Sequence, residues 1–252
     1  MSFPFIVVPT YHELDNLPTF TERVWSAVPE AKVLLVDDAS GDGTPAWVKA
    51  HPRYKQSLFL LERAGKLGLG SAYVAGFTWV VERQATEPCN AVVQMDADLS
   101  HDPKAVPDLL AEIASGADLV LATRYRGGVR VTNWPLQRLL LSLGAGQYVK
   151  WITGMPFSDP TGGFKAFCPE KLASLDLAHI RSDGYAFQIE VTHMAWRQGW
   201  KITEVPIVFE DRQAGVSKMS WRIVREAVWR VPWMALRGSV SPRIRPEKEK
   251  KP

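Results

Sequence analysis

Val92-Val93-Gln94-Met95-Asp96-Ala97-Asp98-Leu99-Ser100-His101 reads as an apolar strand that runs straight into two carboxylates two residues apart. Residues at i and i+2 of an extended backbone point to the same side, so Asp96 and Asp98 can converge on one ion. A strand leaving a parallel sheet at its carboxyl end delivers them where open α/β sheets bind ligands. Two hard oxygen donors with room for phosphate oxygens and water suit Mg²⁺ or Mn²⁺. Acid pairs also occur in ordinary loops, and Asp102-Pro103 reads as a helix start with Asp102 as N-cap and Pro103 in the first turn. The rest of the chain decides for the site.

Upstream, Phe5 to Val8 is a short apolar strand, followed by a helix from Asp15 or Asn16 to Val28. A strand over Lys32 to Val36, a helix ending near Ala50 and a strand over Leu58 to Leu61 continue the pattern. A long apolar helix runs from Ser71 to about Arg83, and after the Asp96 strand come a helix over Lys104 to Ser115 and a strand over Asp118 to Ala122. Alternating strands and helices, with near-continuous apolar strands, predict a parallel sheet covered on both faces. The second half is less regular: helices over Leu136 to Ile152, Ala186 to Gln198 and Met219 to Arg237, with strands over Phe164 to Phe167 and Thr203 to Phe209. A dinucleotide-binding oxidoreductase is excluded, because the first strand's turn, Pro9-Thr10-Tyr11-His12-Glu13, has none of the glycines that fold needs there. Gly65 to Gly70 lacks the Gly-Lys-Ser/Thr of a P-loop and reads equally as a phosphate loop or as a close helix approach.

With 252 residues, 46% of them hydrophobic, the chain can bury one substantial core. Two cysteines without paired spacing suit a reducing compartment. The start of the chain lacks the charged and apolar regions of a signal peptide, and no apolar run reaches the ~20 residues of a membrane span, so the expected location is the cytoplasm. The net charge of +3 conceals an asymmetry: from Arg212 onward there are 11 Lys+Arg against 3 Asp+Glu. Such a tail calls for an anionic partner.

Pro9-Thr10-Tyr11-His12-Glu13, Val36-Asp37-Asp38-Ala39-Ser40-Gly41-Asp42-Gly43-Thr44, Lys66-Leu67-Gly68-Leu69-Gly70-Ser71-Ala72-Tyr73 and Met95-Asp96-Ala97-Asp98-Leu99-Ser100-His101 follow in an order and spacing that resembles the family 2 glycosyltransferases of GT-A fold. Within that family the chain resembles the dolichol-phosphate (polyprenol-phosphate) mannose synthases. The likeness runs on through Thr123-Arg124-Tyr125, Asn133-Trp134-Pro135-Leu136-Gln137-Arg138, Asp159-Pro160-Thr161-Gly162-Gly163-Phe164 and Arg212-Gln213-Ala214-Gly215-Val216-Ser217-Lys218-Met219. The resemblance implies an α/β fold of GT-A type, Rossmann-like, with a mostly parallel sheet flanked by helices. Its catalytic domain would span 1–218, followed by an amphipathic interface helix over 219–238 and a disordered basic tail over 239–252. It implies inverting transfer of mannose from GDP-mannose to a polyprenyl phosphate, with Mg²⁺ or Mn²⁺ as cofactor.

The same resemblance distributes roles. Pro9, Tyr11, Glu13, Val36 and Asp38 would hold the nucleoside, and Ala97 would line the site between Asp96 and Asp98. Those two would bind the metal on the donor diphosphate. Ser100 stands where some family members carry Gln and is the candidate third protein ligand; where some have Lys after Gly-Tyr, this chain has Ala186. Arg124, Arg138 and Ser142 would take the acceptor's phosphate, and Arg212 and Lys218 would close over phosphates. The chemistry agrees. A nucleoside diphosphate leaves readily only when its growing charge is neutralised, which a divalent cation does. Arg138 and Ser142, four apart, share a helix face on which a guanidinium fork and a hydroxyl suit a terminal phosphate.

On the last helix, Trp221, Ile223, Val224, Ala227, Val228, Val231, Met234 and Ala235 form one apolar arc at 100° per residue. Arg222, Arg225, Arg230 and Arg237 oppose it, with Trp229 and Trp233 between. Tryptophans among arginines suit a membrane interface, so peripheral binding to the cytoplasmic face of a membrane is expected. A helix packed on the catalytic domain is the competing reading. The rival activities are transfer from another nucleotide sugar such as UDP-glucose, or to a hydroxyl acceptor. A basic-tailed lipid- or nucleic-acid-binding module is disfavoured, since the tail carries no nucleic-acid motif and the acidic site lies elsewhere.

Overall fold

A computed structural model describes residues 2–180, 182, 184–210 and 229–235. Three strands and three helices alternate first: β1 (Phe3–Thr10), α1 (Leu17–Ala27), β2 (Lys32–Asp37), α2 (Thr44–Ala50), β3 (Leu58–Glu62) and α3 (Leu69–Glu82). The next run is β4 (Cys89–Gln94), α4 (Val106–Ala114) and β5 (Leu119–Thr123), then β6 (Val131–Thr132) and α5 (Leu136–Thr153). The last run is β7 (Lys165–Phe167), α6 (Pro169–Ser174), α7 (Gly184–Arg197), β8 (Ile202–Pro206) and β9 (Phe209–Glu210). Among the described residues the main sheet has the order β3-β2-β1-β4-β7-β5-β8, and β6 pairs β9 in a separate two-stranded sheet.

The continuous apolar strands divide their side chains by parity. Phe5, Val7, Leu34, Val36 and Val92 point to one face, where they pack with Tyr73 and Phe77 of α3 and Phe187 of α7. Ile6, Val8, Val33, Leu35 and Val93 point to the other, against Leu17 and Phe20 of α1 and Leu109 of α4. Burial on both faces is what a near-continuous apolar strand requires. Gly76 lets α3 approach closely: a Cβ there would stand 2.4 Å from Val7 Cγ1.

One strand departs from the parallel expectation. β7 runs antiparallel between β4 and β5, pairing Lys165 with Gln94 and with Leu121. Its amino end therefore lies at the carboxyl ends of its neighbours. The preceding segment, Asp159 to Phe164, is thereby brought onto the edge where β4 delivers Asp96 and Asp98. Two element boundaries also shift. Pro107 near the start of α4 separates it from a 3₁₀ turn over Pro103–Ala105, with the Asp102 carboxylate accepting from Lys104 N as the expected cap. The strand expected over Thr203 to Phe209 splits into β8 and β9, and the second piece turns Phe209 toward Trp134 and His101.

Candidate active site

The carboxyl edge of the sheet opens into a cleft whose two halves meet at Leu69, Asp96 and Asp98. Tight loops build it. Among the described residues five non-glycine residues have positive φ, and four of them (His12, Ala39, Leu99 and Asn133) sit on loops around the cleft. Backbone held in that region marks a loop over-determined by its surroundings. At Leu99, φ +63 turns the chain so that Ser100 N and Oγ donate back to Asp98 Oδ1 at 3.1 and 2.6 Å.

Asp96 is fixed from two sides. The Tyr73 hydroxyl donates to its Oδ1 at 2.8 Å, and its backbone N–H donates to His101 Nδ1 at 3.1 Å. Burial, and then the nearby carboxylates, hold the Tyr73 phenol well above its ordinary pKa, so it remains a neutral donor. Among the described residues no cluster of three His, Cys, Asp or Glu could hold a metal. Asp96 and Asp98 are half-buried and open into the cleft, so they supply a carboxylate pair whose remaining partners would be substrate oxygens and water. That donor set fits Mg²⁺ or Mn²⁺. Ser100 is buried and its hydroxyl is spent on orienting Asp98.

The first half of the cleft is lined by Pro9, Tyr11, Glu13, Asp38 and Ala97, so the structure brings these candidate residues together. Lys66 Nζ lies 4.0 Å over the Tyr11 ring. Val36 is a correction: it is fully buried beneath α3, and its side chain faces the core rather than the cleft. Asp38 lines the cleft, but its oxygens are engaged. Oδ1 accepts from Arg63 Nη1 at 2.7 Å, and Oδ2 from Leu67 N and Gly68 N at 3.0 and 3.1 Å. Two amides of the Gly65–Gly70 loop thus serve Asp38, and Gly70 packs so tightly that a Cβ would meet the Ser182 carbonyl at 2.6 Å. The close helix approach of the loop's second reading is present at Gly70.

The second half carries the arginines. Arg124 is 7% exposed and forms a bidentate pair with Asp159, Nε to Oδ2 at 2.6 Å and Nη2 to Oδ1 at 2.7 Å, with Thr161 Oγ1 also accepting from Nη2. Burial alone would lower the guanidinium's pKa; Asp159 more than offsets this and holds it above its usual value. Arg138 on α5 holds its Cζ over Trp134, 4.1 Å from the ring centroid, and lines the same half. Ser142 is turned elsewhere: its hydroxyl accepts from Tyr125 at 2.7 Å and does not line the cleft, so the expected Arg138–Ser142 pair is not assembled on one site wall. Arg212 and Lys218 lie outside the described residues.

Three buried polar residues at and beneath the cleft floor carry no role that the sequence alone suggests. Lys165, Gln94 and Gln188 join beneath Gly163, with Lys165 Nζ donating to Gln188 O at 2.7 Å and to Gln188 Oε1 at 3.0 Å. A lysine inside an apolar strand, Phe164-Lys165-Ala166-Phe167, was the available signal, since a buried charge needs dedicated partners. Burial pushes the Lys165 pKa down to about 7, with Asp159 opposing the shift. The unfolded chain therefore binds more protons between about pH 7 and 10.5, and Lys165 makes stability rise with pH across that window. Denaturant titrations across it should show a slope, at most about 1.4 kcal/mol per pH unit from this group, that Lys165→Met abolishes. Parallel curves for parent and variant would show that Lys165 is not charged differently in the two states.

The glycosyl transferase family 2 profile matches residues 5–174. The chain belongs to this family. Polyprenol monophosphomannose synthase of Mycolicibacterium smegmatis is 41% identical over 237 residues, covering 92% of this chain and 87% of that one. Undecaprenyl-phosphate mannosyltransferase of Micrococcus luteus is 42% identical over 222 residues, covering 88% and 89%. In structure, the chain is similar to the mannosyltransferase PcManGT of Pyrobaculum calidifontis in complex with GDP-Man and Mn²⁺, with a TM-score of 0.59 at 22% identity. That match covers 95% of this chain and 65% of the other, and it shows the shared GT-A fold.

Proposed function

We propose that this family 2 glycosyltransferase moves mannose from GDP-mannose to a polyprenyl phosphate, with inversion and with Mg²⁺ or Mn²⁺ as cofactor. The reading is supported by the two relatives named for polyprenyl-phosphate mannosyl transfer, each matched over nearly nine-tenths of its length or more than eight-tenths. The observation that carries it is the division of the cleft. A nucleoside half ends at Asp96 and Asp98, and a half walled by Arg124, Trp134 and Arg138 begins there.

Asp96 and Asp98 would hold the cation, which neutralises charge on the departing diphosphate. Tyr73 and Ser100 keep the two carboxylates aimed at the junction. The polyprenyl phosphate would enter the cationic half. A phosphate monoester has its second pKa near ~6 and is already dianionic at neutral pH, so it attacks without a general base. Among the described residues that line this half, the carboxylates are Asp96 and Asp98 alone. The cationic wall therefore orients the nucleophile and compensates its charge, and attack from the face opposite the diphosphate inverts the anomeric carbon.

Peripheral membrane binding belongs to the same proposal. Among the described residues no helix is long and apolar enough to cross a membrane. Leu136, Leu140, Leu141 and Trp151 of α5 are exposed on the helix that carries Arg138. In the final helix only 229–235 is described; Val231 and Met234 are buried in the core, while Trp229 is 76% exposed. Its apolar arc thus packs on the domain there, and its tryptophans face outward, available to an interface on the membrane's cytoplasmic side.

Arg138→Ala tests the acceptor assignment. The expected result is a rise of about 10–100-fold in the KM for polyprenyl phosphate, the range of a lost charge-assisted hydrogen bond, with GDP-mannose affinity nearly unchanged. Unaltered transfer to polyprenyl phosphate, or preferred transfer to a free sugar or lipid alcohol, would overturn it.

A further inference from the structure

One polar group on the cleft floor takes no part in the chemistry above. Gln188, on α7, is 3% exposed and lines the cationic half of the cleft. Its two amide ends can be told apart by their neighbours. The Gly163 carbonyl only accepts, so the Gln94 atom 2.7 Å from it is Nε2, a donor. The same Nε2 lies 2.6 Å from Gln188, and Lys165 Nζ lies 3.0 Å from that Gln188 atom. Two donors converge on it, so it is Oε1.

The other end, Gln188 Nε2, has no hydrogen-bond partner among the described residues. It is the nearest atom, at 3.5 Å, to where a Cβ on Gly163 would stand; His101 Cε1 is 3.6 Å and Asp96 Oδ2 3.8 Å from the same point. A glycine in the cleft lining thus leaves a space bounded by a locked amide donor and a junction carboxylate. That donor opens into the cleft, so a ligand that fills the space and excludes solvent from it loses affinity unless it accepts the hydrogen bond. Phosphates are served by the cation site and by the arginines. A sugar hydroxyl accepts from the amide without adding negative charge beside Asp96.

We infer that Gln188 Nε2 donates a hydrogen bond to a hydroxyl of the transferred sugar, in a pocket kept open by Gly163, with Lys165 and Gln94 as positioning residues. This rests on the proposed glycosyl transfer, and it makes Gln188 a determinant of which sugar is accepted.

Gln188→Glu is the test: it keeps an acceptor oxygen for Gln94 and Lys165, removes the donor and adds a carboxylate near Asp96, so discrimination between donors, and not the absolute loss, reads the contact. Full-length parent and variant would be assayed with Mn²⁺, polyprenyl phosphate, GDP-mannose and its mono-deoxy analogues, and GDP affinity measured by calorimetry. The variant should lose about 10–100-fold more in kcat/KM on GDP-mannose than on the one deoxy donor that lacks the contacted hydroxyl. Lys165→Met should narrow the parent's discrimination between those donors in the same direction, which a merely structural lysine would not do. Gly163→Ala covers a folding failure of Gln188→Glu: its Cβ makes only ordinary contacts with the protein but fills the pocket, so the KM for GDP-mannose should rise while GDP affinity holds. Equal transfer by Gln188→Glu and the parent, or the same loss on every deoxy donor, would overturn the contact. A parent chain active only on another nucleotide sugar would instead overturn the mannose assignment, and that sugar's deoxy series would decide the contact by the same criterion.

Discussion

Asp98→Asn should lower turnover by at least ~10²-fold, the cost of losing a preorganised electrostatic stabiliser, while the fold is retained. Retention follows from the local geometry. The carboxylate sits at the rim of the sheet, and its structural partners, Ser100 N and Oγ, are both donors. An asparagine carbonyl accepts from both in the same place. The ligand charge is what disappears, so Mn²⁺ affinity in the presence of GDP should fall in step with turnover, and thermal unfolding should move little. Chelation of the parent should mimic the variant, with Mn²⁺ restoring activity to the parent alone. Near-normal transfer in excess chelator, or by Asp98→Asn, would exclude a metal-assisted mechanism.

Much of this architecture was legible because it is repetitive. Strands such as Phe5 to Val8 and Val33 to Val36 are apolar at every position, and a chain that must bury both faces of a strand has few alternatives to a covered parallel sheet. The acidic junction was legible too, since two carboxylates at the end of such a strand have one place to go. What stayed hidden depends on contacts between distant segments. Asp38, which the resemblance makes a nucleoside ligand, lines the cleft, but its oxygens are engaged by Arg63 and the amides of Leu67 and Gly68, brought in by the α3 loop. Val36 continued a motif whose neighbours line the cleft, but strand parity turns it into the core. The antiparallel β7 is three residues long, too short for periodicity to reveal its direction, and it is the strand that seats Gly163 and Lys165 at the site. Arg138 and Ser142 share a helix as spacing requires, yet Tyr125 decides where the hydroxyl points.

The pair Arg124–Asp159 should prove the most sensitive point of the fold, although no spacing in the sequence links residues on either side of α5. Asp159 is 2% exposed, accepts from Arg124 Nε, Nη2 and the Arg124 backbone N–H, and is pulled below the usual carboxylate range by that guanidinium against the opposing effect of burial. Asp159→Asn preserves the shape but leaves a buried guanidinium without its counter-charge, which costs about 3–5 kcal/mol in comparable buried pairs. Replacing both partners by apolar residues, Arg124→Met with Asp159→Leu, removes the uncompensated charge and should recover most of that loss. If Arg124 also faces the acceptor phosphate, the double variant should be stable and poorly active, which separates the two roles. The pH dependence has a defined sign. A depressed carboxylate contributes its stability above its unfolded pKa of about 4 and loses it as pH falls through the lower folded value. The parent should therefore lose stability on acidification below about pH 4 more steeply than the double variant. A cost under ~1 kcal/mol for Asp159→Asn, with acid profiles that superimpose, would mean that the pair is solvated and that Arg124 is held by its aromatic neighbours Trp134, Tyr125 and Phe209 instead.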